Sequence, residues 1–186
     1  MTDALDEGTA HRLDLGEPFA EVTLGYREWG PPDATRTIVG VHGLTRNAAD
    51  FAGLGTALAA RGARLLAVDV VGRGDSSWLA DPSAYAIPTY AGHLALWLQR
   101  LGLDRVDWVG TSMGGLVGMA LAASERPPMA RLVLNDIGPF VPKSALEEIG
   151  AYLANEPWFS SLAAVERHLR TIHAGFGPLT DAQWRR

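Results

Sequence analysis

Gly110-Thr111-Ser112-Met113-Gly114 lies between the apolar run Arg105–Val109 and the small-residue run Gly114–Ser124, and the reading of the whole chain turns on it. The first run is expected to be a strand and the second a helix, so a single serine occupies the turn between them, with glycine two residues to either side. Those glycines allow a tight turn and leave room for neighbouring backbone. The hydroxyl is thereby presented at the end of the strand. The helix that starts directly afterwards aims unpaired N–H groups and its positive dipole end at the same spot, which favours the anion formed when a carbonyl is attacked. Met113 N–H is one expected donor. A serine with only a structural role at such a turn is the alternative.

Upstream, Thr37–Val41 is a strand-like apolar run ending in His42-Gly43. Asn47 or Asp50 can then cap a helix with Phe51, Leu54 and Leu58 on one face, ended by Gly62. Before it, Val22, Leu24 and Tyr26 alternate with Thr23 and Gly25 in a strand expected over Phe19–Tyr26, closed by Gly30-Pro31-Pro32. Arg64–Val71 reads as a continuous strand, and Gly72-Arg73-Gly74-Asp75-Ser76 after it as a loop. Pro88-Thr89 opens an amphipathic helix carrying Tyr90, Leu94, Trp97, Leu98 and Leu101, which Gly102 stops. Beyond the serine turn, Arg131–Asn135 is a further strand. Strands and helices alternate, and the strands are apolar on both faces. This predicts an α/β fold, a mostly parallel sheet covered by helices on each side, because right-handed crossovers bury such strands twice. After Pro139 two helical, aromatic-dotted segments follow, Lys143–Asn155 and Ser160–His173. The expected division is a core over 1–138 and a partial helical cap over 139–186.

Composition narrows the function. The chain has 186 residues, 47% of them hydrophobic and 20% charged, enough for one core. A formal charge of -5 with both signs interspersed offers no basic stripe, so nucleic acid is not an expected partner. With no cysteine, disulfides, thiolate zinc sites and a cysteine nucleophile are excluded; a cytoplasmic location is expected. Met1–Leu15 is acidic and lacks an apolar run, unlike a signal peptide. Apolar stretches such as Leu65–Val71 fall far short of the roughly 20 residues of a spanning helix, so no membrane association is expected. No G-x-G-x-x-G run follows a strand, and no phosphate-loop lysine is present.

With strand, serine turn, helix and the upstream His42-Gly43 loop in the required order, the sequence resembles the α/β-hydrolase fold family from about Phe19 to near Arg186. The resemblance implies a serine hydrolase that attacks an ester-like carbonyl and forms an acyl-enzyme. Ser112 would be the nucleophile and the Leu44 and Met113 amides the oxyanion donors, with His42, Gly43, Gly110 and Gly114 shaping the site and no cofactor required. His42 precedes the nucleophile, whereas the family order is serine, acid, histidine, so it is not read as the base. The loop Asp69–Ser76 is implied to border the site mainly as architecture. Asp136 follows the strand after which some members carry the acid, while most carry it one strand later; loop hydrogen bonding is its alternative role. His168 and His173 follow Ser112, but the family's base comes from a loop after the last strand.

The resemblance therefore implies that the final strands, the principal acid and the catalytic histidine lie beyond Arg186. The chain by itself would then turn over slowly or not at all and expose a sheet edge. Trp158, Phe159, Phe176 and Trp184 either line a pocket for the apolar portion of a small-molecule substrate or form the cap's own core. Two other classes stay open: a non-hydrolytic enzyme on the same fold, such as a lyase, a cofactor-free peroxidase or a carbon–carbon bond hydrolase, and a binding protein that kept the serine turn. Oligomeric state is not written in these residues.

Overall fold

The computed structural model describes residues 6–153 and 157–184. The chain divides into two compact units, Met1–Phe140 and Val141–Arg186. The first contains six strands, β1 (Thr9–Gly16), β2 (Phe19–Trp29), β3 (Thr37–Val41), β4 (Arg64–Val68), β5 (Val106–Thr111) and β6 (Met129–Asn135). Its helices are α1 (Ala52–Ala59), α2 (Ile87–Arg100) and α3 (Met113–Ala122). The sheet order is β1-β2-β4-β3-β5-β6. Strands β4, β3, β5 and β6 run parallel, whereas β1 and β2 form an antiparallel hairpin that pairs antiparallel onto β4. The α/β architecture is therefore a mixed, mostly parallel sheet.

The double burial expected of the central strands is visible residue by residue. Val39 and Val41 of β3, with Leu66 and Val68 of β4, pack with Tyr90, Leu94, Trp97, Leu98, Val117 and Leu121 of α2 and α3. The alternate residues Ile38, Leu65 and Ala67 join Trp29, Phe51 and Ala52 in a second cluster. Each large side chain so buried contributes about 1.5–3 kcal/mol.

Three details differ from the sequence reading. Strand β1 was not expected; its Leu13 and Leu15 alternate inward among polar residues, and Leu15 is buried. Strand β4 ends at Val68, and Val70 and Val71 are buried as loop residues rather than as strand. In the helix after β3, Asn47 caps a tight 3-10 turn, Ala48–Phe51, that precedes α1. This offset turns Ala52, Gly55, Leu58 and Ala59 toward the core and leaves Leu54 exposed.

The second unit carries α4 (Lys143–Leu153), α5 (Leu162–Ile172) and the short α6 (Asp181–Trp184). The expected helix end at Asn155 lies outside the described residues. Ser161 caps α5 by accepting from Ala164 N, and Arg170 pairs with Glu166 and Asp181 and lies over the Trp184 ring. Phe159 packs on His168, whereas Trp158 is almost wholly exposed. The Phe176 side chain lies outside the described residues.

Candidate active site

Strands β5 and β6 end side by side, and the turn leaving β5 is tied to β6 because Ser112 N donates to Asn135 O at 2.9 Å. Ser112 has φ 48 and ψ -112, on the left-handed side that a residue with a Cβ avoids at a cost of about 1–3 kcal/mol. Its carbonyl accepts from Gly115 N and Leu116 N at 2.9 and 3.1 Å, which starts α3 immediately. The two flanking glycines have no room for a side chain. A Cβ on Gly110 would lie 2.3 Å from Gly114 O, and one on Gly114 would lie 2.1 Å from Val41 O. Trp108, fully buried in β5, donates its indole N–H to Gly114 O at 3.1 Å and holds the helix start against the sheet.

The loop after β3 passes the same point. A Cβ built on Gly43 would sit 3.7 Å from Ser112 Cβ, so the loop and the serine are in van der Waals reach. His42 is fully buried, with its Nε2 accepting from Val70 N at 3.2 Å and its Nδ1 2.7 Å from Gly43 O. That network assigns the proton to Nδ1 and occupies both ring nitrogens. Burial lowers the His42 pKa, so the ring is neutral and has no nitrogen left for Ser112. Gly43 O also accepts from Arg46 N at 3.2 Å, closing a turn over residues 43–46. Across a trans peptide the N–H points opposite to the C=O. Anchoring the Gly43 carbonyl in the loop therefore turns the Leu44 N–H away from it, and no acceptor takes that N–H among the described residues. Met113 N–H, at the first position of α3, has no intrahelical partner either. Neither the Leu44 N–H nor the Met113 N–H is thus taken by a partner among the described residues, and both belong to segments that meet at Ser112.

The loop Asp69–Ser76 braces this arrangement. Asp69 accepts from Ala48 N at 2.6 Å and from Asp75 N at 3.0 Å, and its carbonyl accepts from Ser76 Oγ at 2.6 Å. The carboxylate is consumed by backbone, which makes it a structural link between the loops after β3 and β4. Asp136 follows β6 directly with φ 55, is exposed, and makes no hydrogen bond among the described residues. His168 and His173 belong to the second unit, where His168 packs on Phe159 and His173 ends α5. Among the described histidines of the first unit, His11, His42 and His93, none hydrogen-bonds Ser112 Oγ. Two residues that the sequence did not single out join the site's support. Asn135 holds the Ser112 amide, and Arg73 donates to Leu44 O at 3.0 Å.

The fold has counterparts among known proteins. Residues 36–165 match the family profile of the alpha/beta hydrolase fold. A 3-hydroxybutyrate-oligomer hydrolase from Cupriavidus necator is 44% identical over 162 residues, which cover 87% of this chain and 55% of that protein. An sn-1-specific diacylglycerol lipase from Mus musculus is 36% identical over 81% of this chain and 47% of its own length. The chain thus spans about half the length of these curated relatives. Among solved structures, an alpha/beta hydrolase from Novosphingobium aromaticivorans superposes with a TM-score of 0.85 at 31% identity, covering 97% of this chain and 62% of that one.

Proposed function

Because this chain belongs to the α/β-hydrolase fold family, we propose that the whole protein is a serine hydrolase in which Ser112 attacks an ester carbonyl and carries the acyl group. The observation that carries the reading is the strained Ser112 backbone, clamped between two glycines that cannot hold a Cβ and faced by the loop at Gly43. Strained conformations of this kind cluster at active sites, where they present the reacting group, and Ser112 is partly accessible. Attack places negative charge on the former carbonyl oxygen, and the Leu44 and Met113 N–H groups are fixed before the reaction begins, so they stabilise the charge without reorganising.

The Ser112 proton needs an acceptor, and we assign that task to a histidine of the whole protein outside residues 1–186, oriented by an acid for which Asp136 is the candidate within this chain. An ester with an apolar portion is the proposed substrate. Two relatives are named for action on 3-hydroxybutyrate oligomers and on diacylglycerol, which supports the ester. The test is hydrolysis of p-nitrophenyl acetate and butyrate together with labelling by a fluorophosphonate. Ser112→Ala is expected to abolish labelling and lower kcat by about 10⁴-fold or more. A whole protein that neither hydrolyses these esters nor labels would be a binding protein, and products other than acid and alcohol would place it among the non-hydrolytic enzymes of the fold.

A further inference from the structure

The turn over residues 43–46 is held at three places. Gly43 O is fixed by His42 Nδ1 and Arg46 N, but the carbonyl of the turn's central peptide, Leu44 O, is held among the described residues by Arg73 Nε alone. The Leu44 N–H belongs to the preceding peptide, whose carbonyl is Gly43 O, so this donor is held on one side by the bonds to Gly43 O and on the other by the bond to Leu44 O. Releasing Leu44 O would free the turn on the side of Leu44 that Gly43 O does not anchor, and with it the direction of the Leu44 N–H.

Arg73 is well placed for this. It is half-buried in the loop after β4, and its Nη1 donates to Val71 O at 3.1 Å and to Tyr90 Oη at 3.0 Å. Its guanidinium carbon lies 5.8 and 5.7 Å from the ring centroids of Tyr85 and Tyr90. Tyr90 is anchored in the core by α2, so the planar fork is preorganised from three sides before it meets Leu44. A lysine ammonium could approach one of these acceptors but could not reproduce the fork.

We propose that Arg73 is a positioning residue of the oxyanion site, acting through the Leu44 carbonyl to hold the Leu44 N–H in the direction that stabilises the reacting oxygen. The assignment rests on the hydrolase reading above. It implies that loss of Arg73 weakens transition-state stabilisation more than ground-state binding.

The experiment compares unsubstituted whole protein with Arg73→Met, Arg73→Lys and Arg100→Met, using matched oxo- and thionoesters of butyrate. Arg100, whose Nε donates to Leu15 O at 3.0 Å, controls for removing a cation pinned to backbone elsewhere. Sulfur accepts hydrogen bonds poorly, so a well-aligned oxyanion site prefers the oxoester. Arg73→Met is expected to lower kcat about 10- to 100-fold with KM changed less than about twofold, and to shrink the oxo-to-thiono preference in proportion. Arg73→Lys should recover part of both, and Arg100→Met should leave both unchanged. Thermal melting establishes which variants are folded, and if Arg73→Met is not, the preference ratio of Arg73→Lys decides. Folded Arg73 variants with undiminished kcat and oxoester preference would overturn the assignment while leaving the hydrolase reading intact. Unsubstituted protein that shows no Ser112 labelling would overturn the hydrolase reading itself and this role with it.

Discussion

Replacing Gly114 by alanine separates packing at the serine turn from helix propensity, because the two effects have opposite signs there. Gly114 has helical backbone in the first turn of α3, where alanine would be favoured by about 1 kcal/mol. The added methyl would stand 2.1 Å from Val41 O, 2.6 Å from Val41 C and 3.0 Å from His42 O, when ordinary contact begins at 3.4 Å. All three are backbone atoms and cannot rotate aside. Val41 cannot recede either, since β3 pairs there with Val68 of β4 on one side and Gly110 of β5 on the other. The start of α3 must move by about 1 Å, at the upper end of the roughly 1–3 kcal/mol that overpacking costs.

The expected net loss is about 2 kcal/mol, or a fall of roughly 4–8 °C in Tm for a chain of this size. Activity should fall further, because a displacement of about 1 Å at the nucleophile costs on the order of 10²-fold in rate. Gly53→Ala in exposed α1 is the control: a Cβ there meets nothing within 4 Å, and alanine should stabilise by about 0.5–1 kcal/mol. The assay is thermal melting in parallel with the rate of fluorophosphonate labelling at Ser112. Gly114→Ala with the Tm and labelling rate of the unsubstituted protein would refute the packing argument.

His93 is buried on α2 with its Nδ1 unbonded and Phe19 at 4.5 Å, and burial lowers its pKa. As pH drops below about 6.5 the unfolded chain takes up a proton that the folded one refuses, so stability declines. His93→Leu should make the loss of urea midpoint between about pH 7.5 and pH 5 shallower, with His42 supplying the remainder; an unchanged slope would contradict this. Strand β6 is the last of the sheet and leaves Val133 51% exposed. The 186-residue polypeptide should therefore self-associate, and Val133→Lys should raise its soluble fraction with Tm changed by less than about 2 °C. Sedimentation of both polypeptides checks this, and equal self-association would count against the edge as its cause.

The fold was legible wherever bulky residues carry the burial and obscure wherever small ones do. Strand β3 can be read because Ile38, Val39 and Val41 form an unbroken apolar run that is buried on both faces. Strand β1 is half-solvated, so its signal is only Leu13 and Leu15 alternating with Arg12 and Asp14, within a stretch that composition reads as acidic and without an apolar run. On α1 the apolar spacing nominates Leu54, yet the inward positions are Ala52 and Gly55. A Cβ on Gly55 would stand 2.4 Å from the Trp29 ring, so the indole takes the place that a larger helix residue would otherwise fill. A pattern of large apolar residues cannot report a face whose bulk comes from the opposing strand.

The same physics explains why half of the site was legible. Ser112 and its glycines form a local constellation, since the strain, the close approach of Gly110 to Gly114 and the helix start all fall within five residues. The loop after β3 is not local. Its shape depends on His42 reaching Val70 N, Asp69 reaching Ala48 N and Arg73 reaching Leu44 O, each a link between the loops that leave β3 and β4. These strands are adjacent and parallel in the sheet, so both loops emerge at the same edge, and the next strand over, β5, delivers Ser112 there as well. The polar residues of Gly72-Arg73-Gly74-Asp75-Ser76 mark a loop in the sequence, but their partners are set by sheet order. A carboxylate and a guanidinium that bond mainly to backbone, each across more than twenty residues of chain, leave no spacing signature that a linear reading could detect.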